Sequence, residues 1–245
     1  FFSSRRRHTR LLTVTGVQTC ALPIFQPVQV ITSIKMKFEK LQYITDSPQQ
    51  AEEACLAGVR WVQGRVKKKS PEETRIILSQ ISTVCRKYGV MFIVNDFLEI
   101  ALELNADGVH LGKNDLDIAA AKKIIGSKKM ILGGTANTTE DVIRLSGLHV
   151  DYIGLGPLRF TSTKEQLSPV LGFEGYHRIL EAAHGKTFNL PPVFAIGGVL
   201  PQDIQALFQA GVYGAAVSGV ISFASSKSET IAEFNHQFSL APHVS

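Results

Sequence analysis

No apolar run in this sequence approaches the ~18 residues that a membrane-spanning helix needs, so no membrane partner is expected. Its three cysteines, Cys20, Cys55 and Cys85, share no close spacing. Neither a disulfide framework nor a thiolate metal site is therefore suggested, and a reducing, cytoplasmic setting is expected. The body of the chain also lacks any long block of single-sign charge. The net charge is +5, but Arg5, Arg6, Arg7 and Arg10 lie in an opening stretch, residues 1–24, that contains no acid. Without those four the 26 basic residues fall to 22, against 21 acidic ones. A body so nearly neutral does not attract a phosphate backbone, and no nucleic-acid partner is expected.

Residues 1–24 themselves can be read in three ways. A basic, acid-free stretch followed by apolar residues has the composition of a targeting peptide or of a nucleic-acid arm. Over its whole length it also resembles the peptide produced when sequencing-adapter DNA is translated at the end of a contig. We favour the last reading, which makes residues 1–35 a non-native, disordered extension. Met36 is then the natural start, and 36–245 a single catalytic domain.

From Leu41 onward short apolar runs alternate with helical patterns eight times. The runs are Leu41–Thr45, Trp61–Arg65, Met91–Asn95, Gly108–Leu111, Met130–Gly134, Tyr152–Leu155, Val193–Gly197 and Gly214–Ser218. Runs this short and this apolar suit parallel strands buried on both faces. Ser47-Pro48 and Ser70-Pro71-Glu72-Glu73 open helices with a capping hydroxyl and a proline in the first turn. Ile77, Ile81, Val84, Cys85 and Tyr88 then share one face, up to the stop at Gly89. Cys55 and Cys85 read as core residues. Further helices are expected at 116–125, 139–145, 173–183, 201–210 and 230–238. Eight strand–helix units predict an α/β fold, a single (β/α)8 TIM barrel, with a doubly wound sheet as the alternative.

In such a barrel, chemistry gathers at the carboxyl ends of the strands. After the second strand, Gln63, Arg65 and Lys67 alternate with Gly64 and Val66, which puts all three on one side. Asn95 and Asp96 follow the third strand, and Asp115 follows the fourth. Two carboxylates at adjacent strand ends suit Mg2+ shared with substrate phosphate oxygens, although Asp115 also reads as a helix cap. His110 lies within its strand and reads as a satisfied core histidine. Thr135 and Asn137 follow the fifth strand. The loop from Ile153 to Gly172 carries Arg159, Thr161, Ser162, Thr163 and Lys164, a set of hydroxyls and cations suited to an anion rich in oxygens. Gly197-Gly198 and Ser218-Gly219 let a phosphate approach backbone N–H groups. The pattern implies two anion sites with a metal between them.

These residues resemble thiamine phosphate synthase, within the thiamine phosphate synthase/thiazole tautomerase superfamily. The matching pieces are Gln63-x-Arg65-x-Lys67, Asn95-Asp96, the run 106–116, Ile153-Gly154-Leu155-Gly156-Pro157 with Thr161-Ser162-Thr163-Lys164, Pro169-x-Leu171-Gly172, and Ala195-Ile196-Gly197-Gly198. The resemblance implies a transferase that joins hydroxymethylpyrimidine pyrophosphate to hydroxyethylthiazole phosphate. It implies Mg2+ on Asp96 and Asp115, and the pyrimidine pyrophosphate on Gln63, Arg65, Lys67, Asn95, Thr135 and Lys164, with Arg65, Lys67 and Lys164 catalytic. Thr161, Thr163, Gly197, Gly198, Ser218 and Gly219 would hold the thiazole phosphate. Gly64 and Val66 replace a bulkier Leu and the usual Glu, which should loosen the strand end. Thr135 stands for the usual Ser, and Val217-Ser218 sits one residue early. Arg159 has no assignment. The alternatives are a thiazole tautomerase-like barrel, which would use a histidine where this chain has Asn137, and a non-catalytic phosphate-ligand binder. Homo-oligomerisation is left open.

Overall fold

Strands buried on both faces need two covers, and here closure into a barrel covers one face and the surrounding helices the other. The computed structural model describes residues 38–160 and 169–240; the expected extension over 1–35 lies outside the described residues. The strands are β1 Leu41–Thr45, β2 Trp61–Gly64, β3 Met91–Asn95, β4 Gly108–Leu111, β5 Ile131–Ala136, β6 Tyr152–Leu155, β7 Val193–Ile196 and β8 Gly214–Val217. They pair in parallel, in sequence order, and β1 pairs β8 to complete a closed barrel.

Five of the described helices form where a side chain caps the first turn. α1 (Pro48–Leu56) begins at Ser47, whose hydroxyl accepts from the Gln50 amide. α2 (Pro71–Tyr88) has a full capping box between Ser70 and Glu73 and ends on Gly89 at φ +63°. Its buried stripe is Thr74, Leu78, Ile81, Ser82 and Cys85, with Ile77, Val84 and Tyr88 on the flank rather than at the centre. α3 (Leu98–Glu103) was not anticipated, because six residues are too few to show a helical period. α4 (Ile118–Ile125) starts two residues later than expected, since Asp117 caps it by accepting from the Ala119 and Ala120 amides. α5 (Thr139–Gly147), α6 (Gly172–His184) and α7 (Ile204–Gln209, after a 3-10 turn at Pro201–Asp203) follow. A single turn, α8 (Gly219–Ser222), and α9 (Lys227–Ser239) complete the described chain. Among the described residues no helix is long and apolar enough to cross a membrane.

The barrel interior is filled in layers. At the amino ends of the strands Phe38, Trp61, Ile93, Ile131, Tyr152 and Phe194 form a plug. Within it Trp61 meets Phe194 and Tyr152 edge-on, at 4.9 and 5.0 Å between ring centroids. The expected loosening at Gly64 does not occur. A Cβ there would lie 2.6 Å from Leu78 of α2 and 3.1 Å from the Phe92 ring, so those side chains already fill the space; Val66 is buried too.

Candidate active site

Above the plug a chain of buried polar groups rises toward the carboxyl ends of the strands. Gln63 Nε2 donates to Gln42 Oε1 (3.2 Å), and Gln42 Nε2 donates to Tyr152 Oη (3.4 Å). Tyr152 Oη is 3.0 Å from His110 Nδ1, and His110 Nε2 is 2.9 Å from Thr135 Oγ1. Burial pushes the Tyr152 phenol well up, so it stays a donor. If Tyr152 accepts from Gln42 and donates to Nδ1, the imidazole proton lies on Nε2 and points at Thr135. The Thr135 hydroxyl proton is then left to donate elsewhere. His110 is thus satisfied at both ring nitrogens by protein groups. Gly133 makes room for this network: a Cβ there would lie 2.3 Å from the Tyr152 ring and 2.6 Å from His110. Because β5 runs on to Ala136, Thr135 is a strand residue, in register with Gly154.

The predicted carboxylates come together at the ends of β3 and β4. Asn95 is buried and in register with His110; Asp96, at φ +68°, follows it, and its amide donates to the His110 carbonyl. Asp115 does not cap a helix. Its Oδ2 accepts from the Gly112 amide at 2.7 Å, which folds the loop after β4 back over the strand end. Burial, then the hydrogen-bonded and like-charged Asp96, push the Asp115 carboxyl up. Lys67 is ion-paired with Asp96. Gln63 is buried in the barrel, Arg65 is half-buried, and Lys67 reaches the next strand end. Asp115 and Thr135 also line a common cleft with Lys113 and Arg144.

On the other side of the barrel, β7 ends in Gly197 and Gly198, at φ +86° and +72°. A Cβ on Gly197 would come within 2.5 Å of Pro157, so the turn packs directly under the start of the loop after β6. Ser218 precedes α8, and the amides of Ile221 and Ser222 both donate to its carbonyl; Gly219 is the first helical residue. Thr161, Thr163 and Lys164 lie outside the described residues. The two ends of that loop are joined, the Leu171 amide donating to Pro157 O (2.9 Å) and the Gly172 amide to Leu158 O (3.3 Å).

Three side chains near this ring carry contacts that the sequence did not announce. Asn137, buried, donates through Nδ2 to the Gly156 carbonyl at the cis Gly156–Pro157 peptide, and its Oδ1 has no partner among the described residues. Lys113 reaches Asp141 at 2.5 Å, tying the loop after β4 to the N-terminus of α5. Arg159 forms a two-pronged pair with Asp203. Among their partners, Asp141 had a local signal, the Thr138-x-x-Asp141 capping box.

The sequence profile of the family described as thiamine monophosphate synthase matches residues 30–221. The thiamine-phosphate synthase of Flavobacterium johnsoniae is 42% identical over 82% of this chain and 96% of its own. That of Bacteroides fragilis is 43% identical over 74% of this chain and 91% of its own. Among solved structures, the thiamine phosphate pyrophosphorylase from Pyrococcus furiosus superposes with a TM-score of 0.69 at 28% identity, covering 82% of this chain and 95% of that one. The chain belongs to the thiamine monophosphate synthase family.

Proposed function

We propose that the ring of residues at the carboxyl ends of the strands is where this chain, a transferase, makes thiamine phosphate. It joins 4-amino-2-methyl-5-hydroxymethylpyrimidine pyrophosphate to hydroxyethylthiazole phosphate and releases pyrophosphate. One observation carries the reading: Lys67, Asp96 and Asp115 meet at adjacent strand ends, and Asp115 shares a cleft with Thr135.

The chemical difficulty is the departure of pyrophosphate, which leaves positive charge on the pyrimidine methylene for the thiazole nitrogen to attack. That nitrogen carries no proton, so no general base is needed. Instead the site needs fixed positive charge and donors aimed at the leaving oxygens. Arg65 and Lys67, with Lys164 from the loop after β6, supply the charge; Thr135 donates its hydroxyl, and Gln63 and Asn95 orient the substrate. Asp96 and Asp115 are hard oxygen donors crowded closely enough for one to raise the other's pKa, which suits Mg2+. Among the described residues no group of three or more acidic, histidine or cysteine ligands occurs, so substrate oxygens and water would complete its shell. When bound, the ion supplies further positive charge against the pyrophosphate. Thr161 and Thr163, with the backbone amides around Gly197, Gly198, Ser218 and Gly219, hold the thiazole phosphate. The tautomerase alternative gains nothing from Asn137, whose amide is engaged with the Gly156 carbonyl. We place the enzyme in the cytoplasm on its unpaired, buried Cys55 and Cys85.

The test mixes the chain from residue 36 onward with both substrates and Mg2+ and follows pyrophosphate release. Release that requires both substrates is expected. Binding of both without release would overturn the reading.

A further inference from the structure

We propose that Arg159 is a positioning residue that orients the Gly197–Gly198 turn so that two successive N–H groups face a phosphate. The inference rests on the reading of that turn as the monophosphate site.

Arg159 is held by several partners although its side chain is partly exposed. Its Nη1 and Nη2 pair with Asp203 Oδ2 and Oδ1 at 2.5 and 2.7 Å, and Asp203 is only 3% exposed. Asp203 Oδ2 also accepts from the Leu200 amide at 2.8 Å, which sets the turn that leads into α7. The guanidinium lies over the Phe173 ring, 5.6 Å from its centroid. With its charge taken up by Asp203, Arg159 is a poor direct ligand for a second anion.

Its remaining bonds go to the glycine turn. The Arg159 amide donates to the Gly197 carbonyl at 2.9 Å, and Nη1 donates to the Gly198 carbonyl at 2.9 Å. In a planar trans peptide the C=O of one residue and the N–H of the next point in opposite directions. Drawing both carbonyls toward Arg159 therefore turns the Gly198 and Val199 N–H groups away from it, side by side. Consecutive backbone N–H groups on one face form an anion cradle. Neither amide donates a hydrogen bond among the described residues. Both glycines sit at positive φ, where a side chain would be strained, so no Cβ helps to fix these peptides. The guanidinium does that work for the Gly198–Val199 peptide. Removing it frees the Gly198 carbonyl, while the bond from the Arg159 amide to Gly197 stays.

Arg159→Ala alone would strand the Asp203 carboxylate in a buried place and lower stability. It is therefore measured beside Arg159→Ala/Asp203→Asn, which removes that charge and keeps an oxygen for the Leu200 amide. Both substrates are varied in turn, melting temperatures are recorded, and inorganic phosphate is titrated calorimetrically as a probe of the cradle. In both variants the KM for thiazole phosphate should rise about tenfold or more, the effect of misdirecting one donor to a charged group. The KM for pyrimidine pyrophosphate and kcat at saturation should stay near wild type, and phosphate should bind correspondingly more weakly. The melting temperature should fall in the single variant and recover in the double. An unchanged thiazole phosphate KM, or equal losses for both substrates that follow melting temperature, overturns the proposal. If the wild-type chain shows no turnover, the functional reading fails by itself; phosphate binding then decides the inference, and equal affinity in wild type and double variant, or none in either, sinks it.

Discussion

Asp115 loses water on burial and faces Asp96, so its carboxyl pKa is raised from its ordinary value. The fold thus favours its protonated form. Stability is lost as pH climbs from the unfolded-state pKa through the raised folded one, and the cost is fully present above it. In metal-free buffer Asp115→Asn should therefore melt higher than wild type at neutral pH, with the gap closing on acidification below the carboxylate range. Thermal melts in chelator test this; a gap independent of pH would contradict it. On the proposed role of Asp115 at the metal, the same variant should also lose most of its turnover. Asp96→Ala should cut turnover far more than affinity for thiazole phosphate, as read by steady-state kinetics against direct binding; equal losses would argue against a role at the pyrophosphate end. That both carboxylates meet was legible from sequence, since the ends of consecutive strands in a parallel barrel are neighbours. The fold-back of Asp115 onto the Gly112 amide was not, because an Asp before an apolar run reads locally as a cap.

Elements are joined across the layers by pairs that no single stretch displays. Gly64 on β2 faces outward, and Leu78 of α2 occupies the space its side chain would take. Gly64→Leu should destabilise by about 1–3 kcal/mol through overpacking. Leu78→Ala in the same chain should recover part of that loss, although alone it leaves a cavity. Urea unfolding of the three variants is the check, and additive losses would refute the pairing. At the same scale Ser70→Ala should cost about 1 kcal/mol by opening the capping box of α2, with turnover unchanged. Start signals such as Ser70-Pro71 are local, and so α1 and α2 were readable. α3 has no side-chain cap and under two turns of periodicity, so nothing local marked it. Gly133 and Gly134 were readable as strand residues; that their side-chain space is emptied for Tyr152, His110 and Leu145 was not.

Across the whole molecule the barrel has an aromatic, dry end and a polar end, the latter being the proposed site. Trp61, the only tryptophan, is fully buried in the aromatic plug at the dry end. Its fluorescence should report global unfolding in step with circular dichroism and stay unchanged when either substrate binds at the opposite end. A large change on substrate addition would mean that the polar chain from Gln42 to Thr135 transmits binding to the plug. The strand–helix alternation made the closed barrel legible. The Arg159–Asp203 pair, 44 residues apart in sequence, was not, since neither residue carries a local pattern. The joining of Pro157 and Leu158 to Leu171 and Gly172 has one more consequence. Strand pairing closes the barrel and these two bonds hold the described ends of the loop together, so a cut between them is expected to leave the wall standing. At the other end of the sequence Lys40 Nζ donates to the Phe238 carbonyl, which brings the start of β1 beside α9. A circular permutant that links residue 240 to residue 38 and opens new termini between 161 and 168 should therefore fold with nearly the parent's stability. Left without a continuous loop, it should turn over poorly, separating the architecture of the wall from the work done at its rim.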